Sequence, residues 1–150
     1  MIDPVRKEIT VNCDAQTAFD TFARNISSWW PKDKHSVSAM NGKVAQNVIL
    51  DPQSGGRIYE IAHDGAELDW GSVKEFEDGK RLVLNWHINA PASEATEVEV
   101  SFSSRDDGKT DVVLIHRNFE VLGENGPGMR DGYNNGWVNV FENHFAGACG

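Results

Sequence analysis

Val112-Val113-Leu114-Ile115-His116-Arg117-Asn118-Phe119-Glu120 is an apolar strand that runs, through the glycine-rich loop Gly123-Glu124-Asn125-Gly126-Pro127-Gly128, into Arg130-Asp131-Gly132-Tyr133-Asn134-Asn135-Gly136-Trp137. The last of these segments opens with aromatics and continues with Val138, Val140, Phe141 and Phe145, apolar positions at helical spacing. A strand, a loop and a terminal helix of this kind, predicted over 130–148, describe a helix laid across a sheet, with a cavity beneath it. The loop reads as the hinge or lid that lets the helix lie down.

Upstream the periodicity is that of strands. Residues 44–50, 57–63, 69–76, 81–88, 96–103 and 112–117 are six candidates, separated by turn chemistry at Asp51-Pro52 with Gly55-Gly56, Asp64-Gly65, Asp78-Gly79, Pro91 and Asp107-Gly108. Connections this short leave no room for crossover helices, so the strands form an antiparallel meander. Leu82, Leu84, Trp86 and Ile88 share one side of their strand. Val98, Val100 and Phe102 do the same on the next, and Val112, Leu114 and His116 on the last, while Arg81, Asn85, His87, Glu97, Glu99 and Ser101 face the other way. A sheet with one dry face needs a cover, which the terminal helix supplies.

At the amino end, Val5–Val11 reads as a first strand, and Asp14 is placed to cap a helix whose Phe19, Phe22, Ala23 and Ile26 fall on one face. Ser27-Ser28-Trp29-Trp30-Pro31 ends that helix, because proline lacks the backbone donor and disfavours helical geometry before it. A short helical turn through His35 and Met40 leads on. The expected fold is α+β: a curved antiparallel sheet wrapped around a long C-terminal helix, with two short helices between strands one and two, as a single domain over 1–150.

Fourteen basic against twenty-three acidic side chains give a net charge of −9. Such a surface repels phosphate backbones and anionic lipid, so neither nucleic acid nor membrane is an expected partner. The first residues hold no secretory signal and no apolar run approaches a membrane span, which predicts a cytoplasmic protein. Cys13 and Cys149 have no CxxC or Cys/His spacing and read as two free thiols.

The order of elements carries a set of local motifs. These are Asp14-Ala15 before Ala18-Phe19, then Trp29-Trp30-Pro31, Gly55-Gly56-Arg57-Ile58-Tyr59-Glu60 and Gly71-Ser72-Val73-Lys74-Glu75-Phe76. They continue with Arg81-Leu82-Val83-Leu84-Asn85-Trp86, Thr110-Asp111-Val112-Val113-Leu114-Ile115-His116, and Gly132-Tyr133 with Gly136-Trp137. In these the chain resembles the START-like, or Bet v 1-like (SRPBCC), helix-grip superfamily, and within it the group named after the heat-shock protein 90 ATPase activator homologues. The resemblance implies a sheet gripping a long helix around a hydrophobic cavity, a scaffold used for lipid, hormone and aromatic-ligand binding, occasionally for cyclase or hydrolase chemistry, and for chaperone contact.

Trp30, Tyr59, Trp70, Trp86, Tyr133 and Trp137 are the aromatics expected around that cavity, since a ring with one polar atom offers an apolar wall and an orienting donor. His116 ends an apolar face and completes the candidate pocket; it is either a ligand or base group, or, more simply, a hydrogen-bonded structural histidine. Glu60, Asp69, Glu75, Glu120 and Asp131 read as solvated charges near the cavity mouth. No nucleophile elbow, P-loop or metal-ligand spacing is present, so no catalytic residue, metal or cofactor is assigned. The expected function is binding of a small apolar or aromatic molecule. The alternatives are a co-chaperone-like interaction with a chaperone or other protein, and an enzyme working through His116.

Overall fold

The computed structural model describes residues 2–149. Seven strands form one antiparallel sheet in the order β1-β7-β6-β5-β4-β3-β2. They are β1 (Val5–Val11), β2 (Asn47–Leu50), β3 (Arg57–Ile61), β4 (Glu67–Glu77), β5 (Arg81–Trp86), β6 (Thr96–Ser104) and β7 (Thr110–Arg117). Six consecutive strands make the predicted meander, and β1 closes onto β7 at its edge. Between β1 and β2 lie the two short helices α1 (Ala15–Phe22) and α2 (Val37–Met40). Asp14 caps α1, its side chain accepting from Thr17 N at 2.7 Å. Ile26, predicted on the face of the same helix, instead sits in a separate 3-10 turn, Ile26–Ser28.

Register follows the pleat. Leu82 pairs with Val100 and Leu84 with Val98, then Val98 with His116, Val100 with Leu114 and Phe102 with Val112. All are buried on one face. On the other face Glu97 and Glu99 hold Lys74, Arg81 and Arg117 in a chain of ion pairs. The Arg81 hydrogen bond keeps the Glu99 carboxyl below the usual carboxylate range. The predicted division into a dry and a wet face is the one observed.

Several strand ends shift by one or two residues from the sequence reading, and two further boundaries move more. β2 starts at Asn47, not at Val44, which is exposed. The terminal helix starts four residues early: α3 runs Gly126–Trp137, with Pro127 in its first turn, where a missing N–H costs nothing and the fixed φ suits a helix. The expected glycine-rich hinge is therefore helix from Gly126 onward, preceded by a 3-10 stretch, Phe119–Asn125, broken at Gly123 (φ 60°, ψ −128°). Beyond α3 the helix widens to π geometry over Val138–Phe145 and ends in the short α4 (Ala146–Ala148).

The gripped helix divides the interior in two. At one end Phe19, Phe22, Phe102 and Phe145 pack edge to face with centroids 5.2–6.2 Å apart. At the other end the tryptophans gather, and Trp29 joins the two groups, 5.4 Å from Phe22 and 5.7 Å from Trp30. Each fully buried ring of this kind contributes about 1.5–3 kcal/mol over its exposed state. The phenylalanine end is solid core; the tryptophan end is not.

Candidate functional site

The terminal helix explains the difference. Met129, Gly132, Tyr133, Gly136, Trp137 and Val140 follow helical spacing and face the sheet, and two of the six have no side chain. A Cβ at Gly132 would meet nothing within 4 Å, and one at Gly136 only the His35 ring, Cε1 at 3.7 Å and Nδ1 at 4.0 Å. The missing side chains leave a cleft of about 230 Å³. Trp30, Trp86 and Ile88 form its walls on the sheet side, and Lys34, His35 and Met40 its rim. Met40 and Met129, large apolar side chains at the mouth, are 62% and 43% exposed.

The indoles are held by their nitrogen atoms. Trp30 Nε1 donates to His35 O at 2.7 Å, Trp86 Nε1 to Tyr133 Oη at 3.2 Å, and Trp137 Nε1 to His116 Nδ1 at 3.1 Å. Trp86 lies 5.9 Å from Trp30 and 5.6 Å from Trp137, ring centre to ring centre. Burial raises the Tyr133 phenol above its ordinary value, so the hydroxyl keeps its proton.

The predicted residues divide into three groups. Trp30, Trp86, Tyr133 and Trp137 come together as lining. Trp70 and His116 stand behind it, each fully buried. Trp70 is the extra residue of a bulge in β4, where Ile58 pairs with Gly71 and Tyr59 with Asp69, and it packs 5.1 Å from Trp30 and 6.0 Å from Trp86. Tyr59 does not belong to the site: it lies on the outer face, between inward Ile58 and Glu60, under the Arg57 guanidinium at 4.1 Å. Strand alternation sends it there.

His116 has both ring nitrogens engaged. Nδ1 accepts from Trp137, so Nε2 carries the hydrogen and donates to Thr96 Oγ1 at 2.7 Å, which in turn donates to Trp86 O at 3.1 Å. Burial pushes its pKa down to about 3. In this geometry the ring is a neutral spacer linking β6, β7 and α3, with no lone pair facing the cleft.

Glu60 overturns the reading of solvated carboxylates. It is fully buried and accepts from Val37 N (2.6 Å), Ser38 N (3.1 Å), Ser38 Oγ (2.9 Å) and Trp70 Nε1 (2.9 Å). An acceptor-only group is what four converging donors require. It ties α2, and with it the rim, to the sheet. Asp69, Glu75, Glu120 and Asp131 are exposed as expected.

Sequence reasoning missed Lys34, His35, Met40, Ile88, Met129 and Val140 as lining. The available signal was the pair Gly132 and Gly136 on an otherwise apolar helix stripe. Among the described residues no group of His, Cys, Asp and Glu is placed to hold a metal ion, and no helix is long and apolar enough to cross a membrane.

The family model described as activator of Hsp90 ATPase homolog 1-like protein matches residues 13–146. The chain belongs to that family. No curated protein matches it in sequence. Among solved structures, this family member is 28% identical to CalC, a self-sacrificing resistance protein from Micromonospora echinospora, with a TM-score of 0.71 over 97% of this chain and 92% of that one. It is 26% identical to Txn09, an anthrahydroquino-γ-pyrone synthase solved in complex with SUM, with a TM-score of 0.65 over 98% of this chain and 97% of that one. The Aha1 dimer from Colwellia psychrerythraea, 13% identical with a TM-score of 0.63 over 98% of each chain, shares the fold.

Proposed function

We propose that this chain binds one small aromatic or apolar molecule in the cleft between the Trp30, Trp86 and Trp137 wall and the glycine positions of α3. One observation carries the reading. All three indole N–H groups are engaged inside the protein, so the wall presents ring surface to whatever enters, while Gly132 and Gly136 keep the helix side open. Apolar walls with few polar groups are the usual make-up of a small-molecule site. The cleft holds about 230 Å³, below the roughly 300–1,000 Å³ of drug-sized pockets, and opens between the exposed Met40 and Met129, so a ring system longer than the slot seats with one end outside.

Family membership supports a binding domain of this kind. An anthrahydroquino-γ-pyrone is a fused planar ring system, so the likeness to Txn09 supports an aromatic occupant. Binding is favoured over catalysis through His116, whose nitrogens are both engaged. It is favoured over a charge-reading protein interface because the charged sheet face pairs its Arg, Lys and Glu side chains with one another.

The neutral dye Nile red tests the proposal. It should bind at one equivalent, quench tryptophan emission and raise Tm by linkage. Gly136→Leu places an isobutyl group in the cleft and replaces a helical glycine by a good helix former. It should abolish dye binding without lowering Tm. Unchanged affinity in Gly136→Leu would place the dye elsewhere and overturn the assignment.

A further inference from the structure

The polar groups left open in the cleft are one-sided. With the indole donors used internally, Tyr133, His35 and Lys34 remain. Tyr133 Oη accepts from Trp86, and its own hydrogen has no acceptor among the described residues. Asn139 Nδ2 faces His35 Nε2 at 3.2 Å; a carboxamide nitrogen only donates, so Nε2 accepts and the neutral ring carries its hydrogen on Nδ1, on the side of Gly136. That hydrogen also has no acceptor among the described residues. The third group, Lys34, carries a full charge.

Lys34 is one of six lysines without an ion pair among the described residues, and the one of them that lines the cleft. All seven arginines are ion-paired, as is Lys74. Of the charged side chains Lys34 alone lines the cleft; Asp33 and Asp131 do not. A protein of net charge −9 therefore places an uncompensated cation and two neutral donors around an apolar slot.

Resting on the reading of the cleft as an aromatic-ligand site, we propose that its occupant is an aromatic acid. Its ring system lies against Trp30, Trp86 and Trp137, and its anionic oxygen, a carboxylate or an ionised phenol, meets Lys34, His35 and Tyr133. Charge-assisted hydrogen bonds are roughly twice as strong as neutral ones, and at an exposed rim position salt screens part of that gain. The charge thus selects among ligands of equal ring size.

Calorimetric titration with 2-naphthoate and with its neutral isostere naphthalene-2-carboxamide, at pH 7.5, tests the proposal. The carboxylate should bind about tenfold more tightly, with an affinity that falls as salt rises. Lys34→Gln should lower 2-naphthoate affinity about three- to tenfold and leave the carboxamide within about twofold, since Lys34 is exposed and its pair is partly screened. Tyr133→Phe should weaken both. Equal affinities for the two naphthalenes, or failure of both in a protein that still takes up Nile red, overturn the aromatic acid and leave the cleft standing. Failure of both together with Nile red overturns the acid and the cleft alike.

Discussion

Trp137 donates its indole N–H to His116 Nδ1, and this bond sets the tautomer of the imidazole that joins the terminal helix to β6. The same contact fixes the ring plane of Trp137 where it borders the cleft. A histidine at the end of an apolar strand face thus has a use that involves no proton transfer: it is an adapter between an indole donor and a threonine acceptor.

That role makes stability depend on pH. The unfolded imidazole titrates near 6.5 and the folded one near 3, so the unfolded state binds more protons between those values. The contribution of His116 is complete above about pH 6.5 and declines as the pH falls toward 3, by up to about 1.4 kcal/mol per pH unit. His116→Gln should cost about 1–3 kcal/mol at pH 7.5. The gap between wild type and variant in urea denaturation should narrow steadily from pH 6.5 to pH 4. A gap that holds constant over that range would show that the imidazole is not kept neutral by the fold.

Glu60→Gln probes the buried carboxylate. The substitution keeps the shape but turns an NH₂ group toward a shell made only of donors, leaving at least two of Val37 N, Ser38 N, Ser38 Oγ and Trp70 Nε1 without an acceptor. A loss of about 2–5 kcal/mol is expected. Because α2 carries Met40 at the rim, Nile red affinity should fall in protein that remains folded. Wild-type stability in this variant would mean that the four bonds contribute nothing net.

Two glycines should respond in opposite directions. A Cβ at Gly71 would lie 1.8 Å from Asn85 O, inside the β4–β5 ladder and next to the bulge that turns Trp70 inward. Gly71→Ala should destabilise by about 3 kcal/mol or more, or prevent folding. A Cβ at helical Gly147 would meet nothing within 4 Å, so Gly147→Ala should stabilise by about 0.5–1 kcal/mol. Thermal unfolding of the pair decides both.

The two thiols should differ in reactivity. Cys149 is buried, and burial, then its contact with Cys13, pushes its thiol up to about 12, while Cys13 is half-buried. Iodoacetamide at pH 8 should therefore label Cys13 first, and Cys149 only on unfolding, because the thiolate is the nucleophile. Mass spectra showing equal rates at the two positions would contradict the buried placement of the C-terminal segment.

How far the site was legible is seen in its individual residues. Trp86 and Trp137 were readable because each sits on a stripe whose period is plain in its own strand or helix. Tyr59 was misplaced because an aromatic side chain by itself says nothing about which of two strand faces it takes; the parity of Ile58 and Glu60 does. Trp70 was placed on the cavity, but a bulge, invisible in periodicity, seats it one layer deeper. Glu60 looked like any surface acid until α2 brought its backbone donors from 22–23 residues away.

The amino-acid sequence by itself determined the antiparallel meander, its dry and wet faces, the capped first helix and the helix that covers the sheet. Each of these follows from local periodicity and turn chemistry, which act over a few residues. Only the tertiary structure decided that Lys34, His35 and Met40 meet Gly132, Gly136 and Trp137 about a hundred positions later, and that His116 faces an indole instead of a ligand. Those relations depend on strand register, on two bulges in β4 and on how the helix seats against the sheet. They are set by packing between segments distant in the chain, and no local pattern encodes it.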